Sequence, residues 1–267
     1  MEQLIKTIIL GIIQGLTEWL PISSTGHLKL AEHSLDFFSP EDSLLFEFIL
    51  HIGTLIVVLL FFRRDIKNIF LALVRLDFKT EYGKLIPLIV VGTIPAVAIG
   101  VVFLKPVEQV FQSVLPIAIA FIFCGIVLYS AKAGKEKTDD ISYLTAIIMG
   151  IAEGIAIIPG ISRSGLTIAV ALLIGVKREK AFKFSFLLSI PAIIGAIGYT
   201  FYEDSSTLAS ARLGWAEILT GVTMAMVVGY FALKLLWKVL AKEKFHLFAL
   251  YCWLLGTVLI LLSLGVF

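Results

Sequence analysis

The chain has 267 residues, of which 59% are hydrophobic and 16% charged, and its formal net charge is +2. A mean hydropathy of +0.99 and so low a charged fraction exclude an ordinary soluble domain, in which about a quarter of the residues are charged. Two cysteines are too few for a disulfide framework. We therefore expect an all-α polytopic membrane protein in which residues 1–267 form a single membrane domain.

The first unusual segment in chain order is GIIQGLTEWLPISSTGHL, residues 11–28. An apolar stretch of roughly half the membrane thickness is interrupted by a proline, and hydroxyls, a glycine, a histidine and a second short apolar stretch follow. Non-helical backbone is tolerated at membrane depth only where protein or a water-filled cavity surrounds it. The pattern predicts a re-entrant hairpin made of a helix, a loop and a second helix.

Three long apolar runs follow this hairpin. Each is long enough to cross a bilayer, which takes about 20 residues, and they lie near 44–62, 85–104 and 114–131. The stretch 63–84 between the first two carries six Lys and Arg, and the stretch 132–140 carries three. We expect three transmembrane helices and then a linker, 132–140, on the cytoplasmic side.

The second part of the chain repeats the plan of the first. Residues 150–167, GIAEGIAIIPGISRSGLT, align with residues 11–28 at an offset of 139 positions, with six identities, and predict a second re-entrant hairpin. Three more predicted transmembrane helices follow near 182–202, 215–237 and 246–266. Because each half has a hairpin and an odd number of spans, the halves, about 1–131 and 141–267, are expected to form an inverted repeat.

Basic residues set the predicted orientation. If both hairpins are re-entrant, 17 Lys and Arg fall on one side of the membrane, in the stretches 63–84, 132–140, 177–183 and 234–244. The positive-inside rule makes that side the cytoplasm. We therefore expect both termini on the outer side and an active site that opens outward.

Each predicted hairpin has a polar tip: residues 18–27 form the first tip and residues 159–167 the second. An unpaired ionisable group at membrane depth costs about 3 kcal/mol on insertion scales, so Glu18, His27 and Arg163 mark the expected site. Hydroxyls, backbone N–H groups at helix N-termini and a buried Arg form a phosphate-binding set. The predicted phosphate-binding residues are Ser23, Thr25, Gly26, Ser162, Arg163, Ser164 and Thr167.

Four of these tip residues are expected to be catalytic: Glu18, Ser24, His27 and Arg163. Ser24 is the expected nucleophile, and His27, three positions later, is its expected general base or acid. The alternative is that His27 itself attacks phosphorus. Capping of the half-helices by the same hydroxyls also stays open.

The sequence also suggests a metal site and a wider cavity. Glu18, with Gln14 as a second oxygen ligand, is expected to hold a divalent cation, Mg²⁺ or Ca²⁺, that bridges phosphates. Glu47 and His51 are four residues apart and share one helix face. Together with Glu153 they are predicted as secondary residues that line the cavity.

The strings EWLPISSTGH, residues 18–27, and PGISRSGLT, residues 159–167, resemble the two signature motifs of the bacterial undecaprenyl-pyrophosphate phosphatases of the bacitracin-resistance (BacA) type. The resemblance covers essentially the whole chain in length and span pattern. It implies hydrolysis of the C55 isoprenoid pyrophosphate to undecaprenyl phosphate and inorganic phosphate, with a divalent cation required. This reaction recycles the lipid carrier of cell-wall synthesis at the outer face of the bacterial cytoplasmic membrane.

The resemblance also implies functional roles for individual residues, namely Glu18, Ser24, His27, Ser162, Arg163 and Thr167. Many members carry a Glu where this chain has Gln14. A metal site that needs two carboxylates would then have to recruit Glu153 or the phosphates of the substrate.

The alternative function is a transporter or flippase for a phosphorylated polyprenyl lipid, because inverted repeats with broken helices are also a transporter design. The expected partners are the polyprenyl pyrophosphate and membrane lipids, with no nucleic acid. Whether the chain forms a homodimer is left open by the sequence.

Overall fold

The computed structural model of the chain is all-helical. It describes residues 2–35 and 38–265, within which an isolated bridge between Thr138 and Val176 is the only β-type pairing. In chain order the helices are α1 (Glu2–Trp19), α2 (Ser24–Leu35), α3 (Pro40–Phe61), α4 (Arg63–Val74), α5 (Glu81–Val110), α6 (Val114–Ser130), α7 (Tyr143–Ile155), α8 (Arg163–Leu173), α9 (Arg178–Glu203), α10 (Ser205–Ser210), α11 (Trp215–Ala241) and α12 (Phe248–Ser263).

Six of the described helices are long and apolar enough to cross a membrane, and each overlaps one of the six predicted spans. They are α3, α5, α6, α9, α11 and α12, where short 3₁₀ turns extend α6 to Ala133 and begin α12 at Phe245. Residue 266 of the last predicted span lies outside the described residues. The longest, α5, has 30 residues and includes Pro87, Pro95 and Pro106. The chain is therefore a multi-pass membrane protein.

Each repeated segment forms two helices joined by a short non-helical stretch, at 20–23 in the first copy and 156–162 in the second. With 13 and 11 residues, α7 and α8 have about the predicted half-membrane length. In contrast, α1 has 18 residues and spans about 27 Å at 1.5 Å per residue. It is longer than predicted because the helix also includes residues 2–10, which precede the repeated segment.

The two halves pack on each other reciprocally. The first helix of the first repeat, α1, packs along α11, and the first helix of the second repeat, α7, packs along α5. Glycines allow the close approach: a Cβ on Gly15 would lie 2.6 Å from the Ala225 carbonyl oxygen, and a Cβ on Gly154 would lie 2.8 Å from Ile99 Cβ. Small residues such as these glycines are typical of the contacts between tightly packed membrane helices.

The four basic stretches meet at one end of the helix bundle. Lys183 pairs with Asp65 at 2.8 Å and Lys180 with Glu81 at 2.6 Å, which joins the stretch 177–183 to 63–84. Arg178 pairs with Glu136 at 2.7 Å and with Glu243 at 3.3 Å, which joins the same stretch to 132–140 and 234–244. These contacts define the basic end of the molecule.

The stretch 63–84 contains a helix, α4, which the sequence analysis treated only as a basic connection. Ile66 and Ile69 of α4 pack against the core, whereas Phe70 and Val74 are exposed. The high density of charge in this stretch concealed the helical spacing of its apolar residues.

We expect Gly15→Ala to destabilise the protein by about 1–3 kcal/mol, because the added methyl group would overlap the backbone of α11. Gly198→Ala in α9 is the matched control, since a Cβ there meets nothing within 4 Å. The control is expected to be neutral or to stabilise the helix by up to about 1 kcal/mol. Thermal unfolding of both variants in the same detergent measures the difference, and equal melting temperatures would contradict the packing described here.

Candidate active site

The two tips contact each other directly. Gly160 N–H donates to Ser23 Oγ at 3.0 Å, and Ser164 Oγ donates to the Trp19 carbonyl at 3.0 Å. Ser23 has φ of 67°, in the left-handed region, and its hydroxyl also accepts from Gly26 N–H at 3.3 Å. The backbone and side-chain bonds therefore hold the tips of the two repeats together as one unit.

Glu18, near the C-terminal end of α1, lies at the centre of this unit. Its Oε2 accepts hydrogen bonds from Ser24 Oγ at 2.6 Å and from Gln14 Nε2 at 3.2 Å. Its Oε1 forms an ion pair with Arg163. His51 Nε2 lies 3.9 Å from Oε2. Three of these four partners come from the first half of the chain, and Arg163 comes from the second.

Arg163, the first residue of α8, also lies close to a second carboxylate. Its Nε is 3.7 Å from Glu153 Oε1, which is too long for a hydrogen bond. Both carboxylate oxygens of Glu153 are buried without a hydrogen-bond partner among the described residues, as is Gln14 Oε1. Two buried carboxylates therefore surround one guanidinium group.

A cavity of about 480 Å³ lies beside the tips. Much of its polar lining comes from the tips and from α3 and α7, and includes Glu18, Ser23, Ser24, Thr25, Glu47, His51, Glu153, Ser162 and Arg163. Further polar lining residues, on α2, on α5 and at the end of α9, are Lys29, Glu108, Tyr199, Thr200 and Asp204. Its apolar lining comes from α5 and α9, and includes Val97, Gly100, Val101, Leu104, Ile193, Gly195, Ala196 and Ile197. The polar and apolar parts of the cavity therefore match a ligand with a charged head group joined to an apolar chain.

Comparison with known proteins places the chain in a family. A family profile described as "Bacitracin resistance protein BacA" matches residues 7–258. This chain belongs to the BacA family. It is 43% identical to the undecaprenyl-diphosphatase of Carboxydothermus hydrogenoformans over 98% of each chain. It is 41% identical to the undecaprenyl-diphosphatase of Halothermothrix orenii, over 99% of this chain and 100% of the relative. It is also 41% identical to undecaprenyl-diphosphatase 3 of Bacillus cereus over 97% of each chain.

His27 of this BacA-family protein does not contact Ser24, although the sequence analysis paired them. Its Nδ1 lies 2.7 Å from the Ser23 carbonyl oxygen, and its Nε2 lies 2.6 Å from Tyr251 Oη. The imidazole stacks on the Tyr251 ring with centroids 5.7 Å apart, and it is not part of the cavity lining. The group that receives the Ser24 hydrogen bond is Glu18.

Tyr251 was not a candidate in the sequence analysis. It belongs to α12, 224 residues from His27, within an apolar run that carries no motif. Only a tertiary contact between α2 and α12 reveals it, so no signal in the sequence could have found it.

The predicted phosphate-binding hydroxyls fall into two groups. Ser162 caps α8 by accepting from Gly165 N–H at 3.1 Å, and Thr167 donates to the Arg163 carbonyl at 2.8 Å. Ser164 and Thr167 are buried and do not line the cavity, whereas Ser23, Thr25 and Ser162 do. Of these three lining hydroxyls, Thr25 is half-buried and the other two are buried. The direct phosphate contacts of all these residues stay predictions, and the geometry favours Thr25.

Gly26 has a structural reason to be glycine. A Cβ at this position would lie 2.9 Å from Gly160 N and 2.9 Å from the Phe121 ring. Any larger residue would separate the tips. Gly26 does not line the cavity, so its predicted contact with phosphate stays a prediction.

The predicted metal ligands lie together, but Gln14 presents its amide NH₂ group to Glu18, and an amide nitrogen is not a ligand for Mg²⁺ or Ca²⁺. No cluster of three or more His, Cys, Asp or Glu suited to a metal ion occurs among residues 2–35 and 38–265. An Mg²⁺ site needs only one or two carboxylates when waters and substrate phosphates complete it. Glu18 and Glu153, which flank Arg163 and line one cavity, fit that requirement.

Proposed function

We propose that this BacA-family protein hydrolyses undecaprenyl pyrophosphate to undecaprenyl phosphate and inorganic phosphate. The observation that carries the proposal is the bonded set of Ser24, Glu18 and Arg163 in a cavity whose wall along α5 and α9 is mainly apolar. The proposed nucleophile, its base and the guanidinium group that would bind phosphate therefore lie together in a cavity suited to a lipid pyrophosphate. Its relatives over the whole chain carry the name undecaprenyl-diphosphatase.

In the proposed reaction, Arg163 and the N-terminal N–H groups of α2 and α8 bind the terminal phosphate. Ser24 Oγ attacks its phosphorus while Glu18, 2.6 Å away, accepts the hydroxyl proton. The bond to the bridging oxygen breaks, and undecaprenyl phosphate leaves. Water then hydrolyses the phosphoserine, which releases inorganic phosphate and restores Ser24. A bound divalent cation would neutralise phosphate charge in this reaction.

The site favours hydrolysis over transport. A carrier needs to bind a phosphate head group reversibly, and Arg163 with helix N-termini is sufficient for that. The short bond from Ser24 to a buried carboxylate, by contrast, prepares a hydroxyl for attack. Direct attack by His27 has less support, since both its ring nitrogens have other partners.

We infer that α1–α2 and α7–α8 are re-entrant hairpins that enter the membrane from opposite faces, and that the halves form an inverted repeat. The reciprocal packing of α1 with α11 and of α7 with α5 supports this arrangement. The contact between the two polar tips supports it as well.

We also infer that the site opens to the outer side of the membrane, where both termini lie. The basic end, where α5 and α9 begin, is the cytoplasmic end by the positive-inside rule. The cavity is lined by the later parts of these helices, as far as Glu108 of α5 and Thr200 of α9. It therefore extends away from the basic end.

We expect purified protein with Mg²⁺ or Ca²⁺ to release phosphate from C55 pyrophosphate. Ser24→Ala and Arg163→Ala are each expected to lower kcat at least about 100-fold, which is the effect of removing a single catalytic hydrogen-bond donor in other enzymes. Ser130→Ala is the control, because its hydroxyl bonds only the local Val127 carbonyl on α6. Acid quench during turnover followed by mass spectrometry is expected to find phosphate on Ser24. Full turnover by both site variants would favour transport instead.

We expect Gly100→Leu and Gly195→Leu to raise the KM for the C55 substrate about tenfold, which corresponds to a loss of about 1.4 kcal/mol. A Cβ at either position meets nothing within 4 Å, and both residues line the apolar wall. The effect should shrink with a C15 pyrophosphate, whose shorter chain occupies less of that wall.

Gly198→Leu is the matched control for the chain-length experiment. Space is equally open at Gly198, but this residue does not line the cavity. An equal rise in KM for both chain lengths, or for the control, would contradict binding of the prenyl chain between α5 and α9.

A further inference from the structure

We propose that Glu153 is a ligand of the divalent cation at the active site and supplies the second carboxylate that position 14 lacks in this chain. The inference rests on the proposed function for its substrate, but its evidence is separate. That evidence consists of the missing hydrogen bonds of the Glu153 carboxylate, the charge of the neighbouring groups, and the equivalence of positions 14 and 153 in the repeat.

Glu153 is a buried carboxylate without hydrogen bonds. Its side chain is 2% exposed, and neither oxygen has a hydrogen-bond partner among the described residues. A carboxylate at this depth needs a partner, because desolvation of an unpaired charge costs several kcal/mol. The residue nevertheless borders the same cavity as Glu18 and Ser24, so its carboxylate lies beside the space that a ligand would occupy.

Arg163 does not satisfy Glu153 by itself. The 3.7 Å between Arg163 Nε and Glu153 Oε1 exceeds hydrogen-bond length, and the guanidinium also pairs with Glu18. With both carboxylates ionised, two carboxylates and one guanidinium carry a net charge of −1 in a site that has to receive an anionic pyrophosphate. A divalent cation would reverse the sign of that charge.

Gln14 and Glu153 occupy equivalent positions in the two repeats, 139 residues apart. Gln14 donates its amide NH₂ to Glu18, and its Oε1 is the other buried side-chain oxygen at the site that lacks a partner. Glu153 offers two carboxylate oxygens instead. The unpartnered atoms of Gln14 and Glu153 are oxygens, which hard divalent cations such as Mg²⁺, Mn²⁺ and Ca²⁺ prefer. Waters and pyrophosphate oxygens would complete the coordination.

Mn²⁺ binding to the purified protein without substrate tests the inference independently of turnover. Free Mn²⁺ is measured by electron paramagnetic resonance during titration. Glu153→Gln keeps the size of the side chain and removes its charge, and we expect it to weaken Mn²⁺ binding at least about tenfold, since loss of even an outer-shell partner costs about 10–100-fold. Glu217→Gln near the start of α11, outside the cavity lining, is the control for general loss of charge.

The equivalence of the two positions provides a rescue experiment. The double variant Gln14→Glu with Glu153→Gln moves the carboxylate from the second repeat to the first, and we expect it to regain Mn²⁺ affinity to within about threefold of the wild type. A merely structural role of Glu153 would not predict this rescue. Melting temperatures in EDTA show whether each variant is folded.

Unchanged Mn²⁺ affinity in folded Glu153→Gln would overturn the inference. If Glu153→Gln does not fold, Gln14→Glu alone decides: a third carboxylate should tighten Mn²⁺ binding, and no change would also overturn the inference. Full phosphate release by the wild type in EDTA would overturn the proposal of a divalent cation at the site but leave the proposed hydrolysis intact. No release with Mg²⁺, Mn²⁺ or Ca²⁺ would remove the proposed function, while Mn²⁺ affinity would still report on Glu153.

Discussion

The ion pair between Glu18 and Arg163 joins the two repeats at the centre of the molecule. Without Glu18, Arg163 would keep only its longer contact with Glu153, and without Arg163, Glu18 would keep only His51 as a basic neighbour. Loss of either partner therefore leaves a poorly compensated charge, which costs several kcal/mol. Hydrogen bonds from Ser24 and Gln14 to Glu18 Oε2 further stabilise its carboxylate. The close packing of α1 on α11 and of α7 on α5 brings the tips near enough for this pair to form. The same contact that stabilises the fold therefore assembles the site.

Burial strengthens the interaction of these polar groups with a bound phosphate. In a region of low effective dielectric constant, a fixed guanidinium group and helix N-termini interact with phosphate more strongly than they would in water, and they need no reorganisation during reaction. In the proposed function, the apolar residues of α5 and α9 would let a prenyl chain remain in an apolar environment while its head group reaches Ser24. One cavity would thus hold both the charged head group and the apolar chain of a membrane lipid.

The sequence predicted the six spans and a site formed by residues of both tips, because hydropathy and an internal repeat can be read directly from the chain. It did not predict the partners of individual side chains. His27 is one turn from Ser24, yet its ring lies against Tyr251 of α12, since side-chain direction depends on the neighbouring helix. The contact of His51 with Glu18 was missed for the same reason. The helix α4 was missed because the density of charge in the stretch 63–84 concealed its helical spacing. Orientation in the membrane and the role of each tip residue stay predictions.

A double-mutant cycle on Glu18→Gln and Arg163→Gln tests the central claim most directly, with the free energy of unfolding measured in lipid bicelles. Each single variant leaves a buried charge without its partner and is expected to lose about 3–5 kcal/mol. The double variant is expected to lose less than the sum of the two by at least about 2 kcal/mol, because both charges are removed together. Additive losses within about 0.5 kcal/mol would contradict direct contact between the two repeats through this pair.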